Sequence, residues 1–216
     1  MSAYDEVSQR ALQLLGDPLD GQYPAAVLAE AARRALEAFS RCAPRIESVA
    51  WVVESASARQ ALPLAGAWLV LDVEWRAASG ILRAGRPWQI VWQDGQPLIE
   101  WLSAPYPQPG DGLLARCALN HSLEGLDGAP QSSVKAADLG LLAQGAAGYA
   151  AQMRAAQLTE SYGSRASDLG QLAAWGGGQL QRFEQRLAEE ARRSGVEIPW
   201  ALPQRGWPCD RWEVCR

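Results

Sequence analysis

The stretch LGLLAQGAAGYAAQMRAAQL, Leu139 to Leu158, is apolar on almost every side of a helical wheel and is thinned by Gly140, Gly145, Gly148 and many alanines. A helix of that kind has no single face to bury and needs neighbours on several sides. Two arrangements supply them: the helix stands at the centre of a bundle, or a neighbouring subunit covers part of it. A second long helix, over 166–193, lines up Leu169, Leu172, Gly176, Leu180, Phe183 and Leu187, with Arg182, Gln185, Arg186, Glu189 and Arg193 off that stripe. Gly176, Gly177 and Gly178 in its middle each cost about 1 kcal/mol relative to alanine, so a kink or a close helix contact is expected there.

Toward the N-terminus the same periodicity predicts two more helices. A short one over 4–15 carries Val7, Ala11, Leu14 and Leu15 on one side and stops at Gly16-Asp17-Pro18 and a turn at Asp20-Gly21. The next starts at Pro24, where a missing N–H costs nothing. It runs Leu28, Ala32, Ala35, Phe39, Cys42 until Ala43-Pro44. Glu30 with Arg34 and Glu37 with Arg41 have the acid-first i,i+4 spacing of a solvated face, each pair contributing about 0.2–0.5 kcal/mol.

Between these helical halves the period shortens to two. Apolar runs at 49–53, 67–75, 88–92, 98–102 and 113–121 are rich in β-branched and aromatic residues, and Gly, Pro and Asp punctuate them. Asp94-Gly95 between two of the runs predicts a tight hairpin. About five strands are expected, enough for a small sandwich or barrel with its own core. The fold class is therefore α+β: a bundle of about four helices, an inserted antiparallel β domain and an extended C-terminal tail. The expected divisions are 1–47, the β domain 48–121, 122–194 with 122–133 as a linker, and the tail 195–216.

The composition narrows the function. A formal net charge of -4 over 216 residues argues against a protein that clamps nucleic acid by neutralising phosphates. The acidic, polar start and the lack of a long apolar run predict neither a signal peptide nor a membrane span. Cys42, Cys117, Cys209 and Cys215 form no Cys-x-x-Cys pair, so zinc and disulfides are not expected. The single histidine, His121, is better read as a hydrogen-bonded structural residue than as a base or ligand. No Gly-x-Ser-x-Gly elbow is present, and the glycine triplet lacks the Lys-Ser/Thr of a phosphate loop. Asp72 and Glu74 share one strand face and read as a solvated edge. No catalytic residue, metal or cofactor is expected. The tryptophans of the β segment, Trp51, Trp68, Trp75, Trp88, Trp92 and Trp101, suit core or subunit packing first and sugar stacking second.

Several stretches taken in order resemble the head–tail connector, or adaptor, proteins of tailed phages. They are 4–17 with the amphipathic helix to Phe39, the run His121-Ser122-Leu123-Glu124-Gly125-Leu126-Asp127-Gly128-Ala129, the pattern Asp138-x-x-Leu141-Leu142-x-x-Gly145-Ala146-Ala147-Gly148-Tyr149-Ala150, and Trp175 leading into Leu180, Phe183 and Leu187. The resemblance spans 4–194, leaves the tail unmatched, and departs at Lys135 from the Val-Pro that opens the family's helix. It implies a structural virion protein at the head–tail junction, assembled in the host cytoplasm. Such a protein forms a homo-oligomeric ring, commonly a dodecamer, that docks on the portal, continues the DNA channel and meets a neck or tail-completion protein. Gly145, Gly148 and Tyr149 are the candidate subunit-packing residues. Trp200, Trp207 and Trp212 are the candidate anchors of a portal-docking tail. The alternative is a tail or baseplate accessory protein whose β module binds host glycans, with an enzyme subunit a more distant third.

Overall fold

The computed structural model describes residues 1–17, 22–83, 86–161 and 166–194. The expected Asp20-Gly21 turn and the tail therefore lie outside the described residues. The elements run α1 (Ala3–Leu15), α2 (Ala25–Cys42), β1 (Arg45–Val52), β2 (Arg59–Ala61), β3 (Ala67–Arg76), β4 (Trp88–Gln93), β5 (Gln96–Trp101), β6 (Gly112–Leu119), a 3-10 turn (Ala136–Asp138), α3 (Leu139–Ser161) and α4 (Ala166–Ser194). They form two compact units, one from Met1–Ala43 with the described residues after Asn120, the other from Pro44–Asn120.

In the helical unit α3 is the central helix. Leu141, Leu142, Ala146, Ala147, Ala150 and Ala151 are all at most 2% exposed, and α1, α2 and α4 of the same chain cover them. The choice left open by the sequence is thus settled over the first two-thirds of α3. Its apolar surface is enclosed by its own subunit, so it does not wait for neighbouring copies to cover it. Helix α1 starts with a reciprocal cap in which Asp5 N donates to Ser2 Oγ at 3.2 Å and Ser2 N to Asp5 Oδ2 at 2.8 Å. It ends at Gly16, whose φ of 71° favours glycine. The α2 ion pairs Glu30–Arg34 and Glu37–Arg41 form on its exposed face.

The β unit is a sandwich of two three-stranded antiparallel sheets, ordered β1-β6-β3 and β2-β5-β4, around one core that includes Val70, Trp75, Ile99, Trp101 and Leu113. The described residues form six strands where the pattern predicts five. The addition, β2, is only Arg59-Gln60-Ala61 and pairs with β5. The β4–β5 hairpin turns at Asp94-Gly95, with φ values of 51° and 77°, the pair of positive angles that a two-residue turn of this hand requires.

Candidate functional site

The residues singled out by sequence fall into three groups. Gly145 and Gly148 form the seam between α3 and α4. A Cβ on Gly145 would lie 2.8 Å from Phe183 Cζ, and one on Gly148 would lie 2.8 Å from Leu180 Cγ and 3.1 Å from the Gly176 carbonyl oxygen. The glycines are three apart on α3 and their partners three apart in the reverse order on α4, so two antiparallel helices mesh ring-into-slot. The surface these glycines were expected to offer a neighbouring subunit is occupied by the chain's own α4. Both glycines pack against α4 within the subunit. Tyr149, next after Gly148 on the chain, is half-buried against the same core; burial, followed by the charge of Glu184, pushes its phenol pKa up. A part-buried amide pair also bridges the two helices, Gln144 Nε2 donating to Gln179 Oε1 at 3.2 Å.

The glycine triplet divides accordingly. A Cβ on Gly176 would meet Ala151 Cβ and the Gly148 carbonyl oxygen at 3.0 Å, whereas Gly178 has open space around it and Gly177 touches nothing nearer than 4.0 Å. The expected close contact is at Gly176, and α4 runs on through the triplet as one helix. Gly177→Ala and Gly178→Ala should therefore each stabilise the fold by about 0.5–1 kcal/mol, since alanine restricts the unfolded chain and nothing opposes it in the folded one. Gly148→Ala should destabilise by about 1–3 kcal/mol through overpacking against backbone and a branched side chain. Thermal unfolding of the three variants checks the contrast, which a loosely packed α3–α4 seam would erase.

The second group is the run from His121. The polar stretch expected as a linker over 122–133 is a folded brace. Leu123 and Leu126, 1% and 4% exposed, plug the helical core. Between them Gly125, at φ 87°, lies so close to the α1 cap that a Cβ would come 2.5 Å from Ser2 Oγ, while Tyr4 N donates to the Glu124 carbonyl oxygen at 3.0 Å. Asp127, at φ 54°, takes Arg33 through Nε at 2.9 Å and Nη2 at 2.7 Å. Arg33 holds the Asp127 carboxyl below the usual carboxylate range, and both side chains stay about half-exposed. His121 leaves no ring nitrogen idle: Nδ1 lies 3.0 Å from Ser133 Oγ and Nε2 lies 2.9 Å from the Ala43 carbonyl oxygen. Its backbone N–H donates to the fully buried Ser40 hydroxyl at 2.9 Å, and its ring meets Phe39 edge-on. The sequence signal for the brace is the pair Leu123 and Leu126 on either side of Gly125, outweighed by the polar composition around them.

The third group, Trp200, Trp207 and Trp212, lies outside the described residues. Of the β tryptophans, Trp75 and Trp101 are buried at 5.3 Å between ring centroids, Trp51 and Trp88 pack against the same core, and Trp68 is half-buried. Trp92 is the exposed one, at 54%. Asp72 and Glu74 are exposed on β3. Cys42 is half-buried and Cys117 buried, and burial raises both thiol pKa values. Among the described residues no group of three or more His, Cys, Asp or Glu side chains converges as metal ligands would, and no helix is long and apolar enough to cross a membrane.

An acidic residue that the sequence reading passed over organises the end of the β unit. Asp111 is 5% exposed and accepts from Trp75 Nε1 at 2.9 Å, from Ala78 N at 2.8 Å and from Gln108 N at 2.9 Å. It ties the loop after β3 and the loop before β6 to one core tryptophan.

No family model matches the chain, and no curated protein matches it. The chain is similar to chains in three solved particle structures. One is the neck of an empty GTA particle computed with C6 symmetry, at 21% identity, covering 66% of this chain and 76% of that one, with a TM-score of 0.31. The virion of a native gene transfer agent (GTA) particle matches at 18% identity over 83% and 87% of the two chains, TM-score 0.32. The neck of the native GTA particle computed with C12 symmetry matches at 22% identity over 82% and 89%, TM-score 0.28. At these TM-scores the likeness assigns neither a family nor a role.

Proposed function

We propose that this chain is a structural subunit of a phage-type particle, a head–tail connector that assembles as a homo-oligomeric ring between portal and tail and continues the DNA channel. The observation that carries the reading is the brace from His121. The stretch that resembles the adaptor family in sequence is the one that locks the helical unit, fixing α1 through Glu124 and Gly125 and α2 through Asp127. Its residues are engaged in holding a shape. A rigid helical unit suits a ring whose copies repeat one head-to-tail contact. The net charge of -4 suits a wall that DNA passes without being trapped. In this reading the tail 198–216 docks on the portal through Trp200, Trp207 and Trp212, because large aromatics carry a disproportionate share of binding energy at interfaces. Tyr149 is kept as a candidate subunit contact.

Deleting 198–216 is the direct test of the tail. Filled heads made with the truncated chain should fail to join tails, scored by electron microscopy and by the yield of complete particles, while the truncated protein keeps its helical content. Normal joining would remove the tail's docking role. Particle images in which the chain is missing from the neck would remove the connector reading altogether.

A further inference from the structure

Each sheet of the β unit has two edge strands, and three of the four edges carry features that discourage pairing with another chain. Strand β1 opens with the Arg45–Glu47 ion pair, β2 is three residues long and includes Arg59, and β3 combines Asp72, Glu74 and Arg76 with two register shifts. Strand β4 has none of these. Trp-Gln-Ile-Val-Trp-Gln, Trp88–Gln93, contains no charge and no proline, and it pairs with β5 in unbroken register.

The register also fixes which backbone groups are free. Leu102 N donates to the Pro87 carbonyl oxygen at 3.0 Å, which puts position 87 on the bonded side. By the alternation of an antiparallel ladder, Gln89, Val91 and Gln93 then bond to β5, while Trp88, Ile90 and Trp92 turn their N–H and C=O groups outward. Among the described residues nothing pairs with them. On the same strand face Trp88 and Ile90 rest against the core, and Trp92 is 54% exposed.

We propose that the free edge of β4 is a self-association site, at which the β4 strands of two copies pair antiparallel about Ile90 and join their sheets. The sequence is its own complement in that register. Ile90 faces Ile90 of the second copy and Trp88 faces Trp92, so each outward residue exchanges both backbone bonds with its opposite. Each Trp92 gains an aromatic cross-strand neighbour that covers its exposed ring. Because β4 is uncharged, two copies meet without like-charge repulsion. A charged partner strand would find no counter-charge on β4, which favours a second copy over an unrelated peptide. The pairing is two-fold and closes after two copies, so it is additional to any cyclic contact and does not depend on the connector reading.

The test uses the full chain. Val91 lies on the opposite strand face, half-buried, and in this register the two Val91 side chains are diagonal neighbours about 7–8 Å apart at Cα. Sedimentation velocity over a concentration series should show reversible pairing of the wild type. Val91→Lys or Val91→Glu alone should weaken it about tenfold, and mixing the two variants should restore it. Hydrogen exchange of the unsubstituted protein gives a readout independent of any variant. Amides of Trp88, Ile90 and Trp92 should slow as concentration rises, while those of Gln89, Val91 and Gln93 stay protected throughout. The proposal is overturned by wild-type protein that stays monomeric, by pairing that neither substitution weakens, by a mixture that remains dissociated, or by exchange at 88, 90 and 92 that ignores concentration.

Discussion

Phe183→Ala is expected to lower the unfolding free energy of the helical unit by about 3–5 kcal/mol. The ring is 0% exposed and sits in the slot that Gly145 leaves in α3. Removing it opens a cavity bounded on one side by a residue with no side chain, so nothing nearby can swing in to fill it. Denaturant unfolding followed by helical circular dichroism measures the loss. A cost under about 1 kcal/mol would mean that the ring is not a core element. The seam also predicts coupling. Gly145→Ala alone should destabilise by about 1–3 kcal/mol, because the new methyl group meets a flat ring that cannot bend away. In a Phe183→Leu background much of that penalty should vanish. The double-mutant cycle should then return an interaction of about 1 kcal/mol or more.

Asp111→Ala should destabilise the β unit by about 3 kcal/mol or more, since it strips a buried carboxylate from the Trp75 indole and from the backbone N–H groups of Ala78 and Gln108. Asn at this position keeps the volume but turns a donor toward other donors, so it should recover only part of the loss. Burial pushes the Asp111 carboxyl up, but the Gln108 and Ala78 amides, the Trp75 indole and the charge of Arg83 together outweigh it and leave the carboxyl below its ordinary value. A folded-state pKa below the unfolded one gives stability that is fully present above the unfolded value, about 3.9, and lost as pH falls through the lower folded value. The β unit should therefore unfold in acid in a step that Asp111→Asn flattens, read by the change in tryptophan fluorescence. Glu100, lowered by Gln89 and then Arg59, shifts in the same direction but sits at the surface, where solvent screens its contribution. An acid transition identical in Asp111→Asn would assign it to other carboxylates.

The elements with long, regular patterns were readable from the residues. The amphipathic stripe of α2, the turn at Asp94-Gly95 and the all-round apolarity of α3 each carry their own local signal. What could not be read was identity of neighbours. The thinness of α3 said that something approaches closely at Gly145 and Gly148, but whether the approaching surface belongs to the same chain depends on Phe183 and Leu180, whose match in spacing is visible only once the helices are antiparallel. Strand β2 escaped because three residues are too short to alternate. Asp111 escaped because a single acid between Gly110 and Gly112 looks like any surface turn, and only the three donors that converge on it make it structural. The brace looks like a linker for a related reason. Two leucines decide its fate, and its remaining polar residues imitate a spacer.

The imidazole of His121 reaches back to the carbonyl of Ala43, so the main chain leaves the helical unit and returns to it within one side chain's length. The helical unit thereby completes its own framework whatever is spliced into the interval. The sequence between these two points can be exchanged, enlarged or trimmed to a tight loop while the closure between Ala43 and His121 stays in place. Variation among such chains should accordingly gather in that inserted module, and an engineer wishing to display a foreign domain on this scaffold has a ready socket between Ala43 and His121.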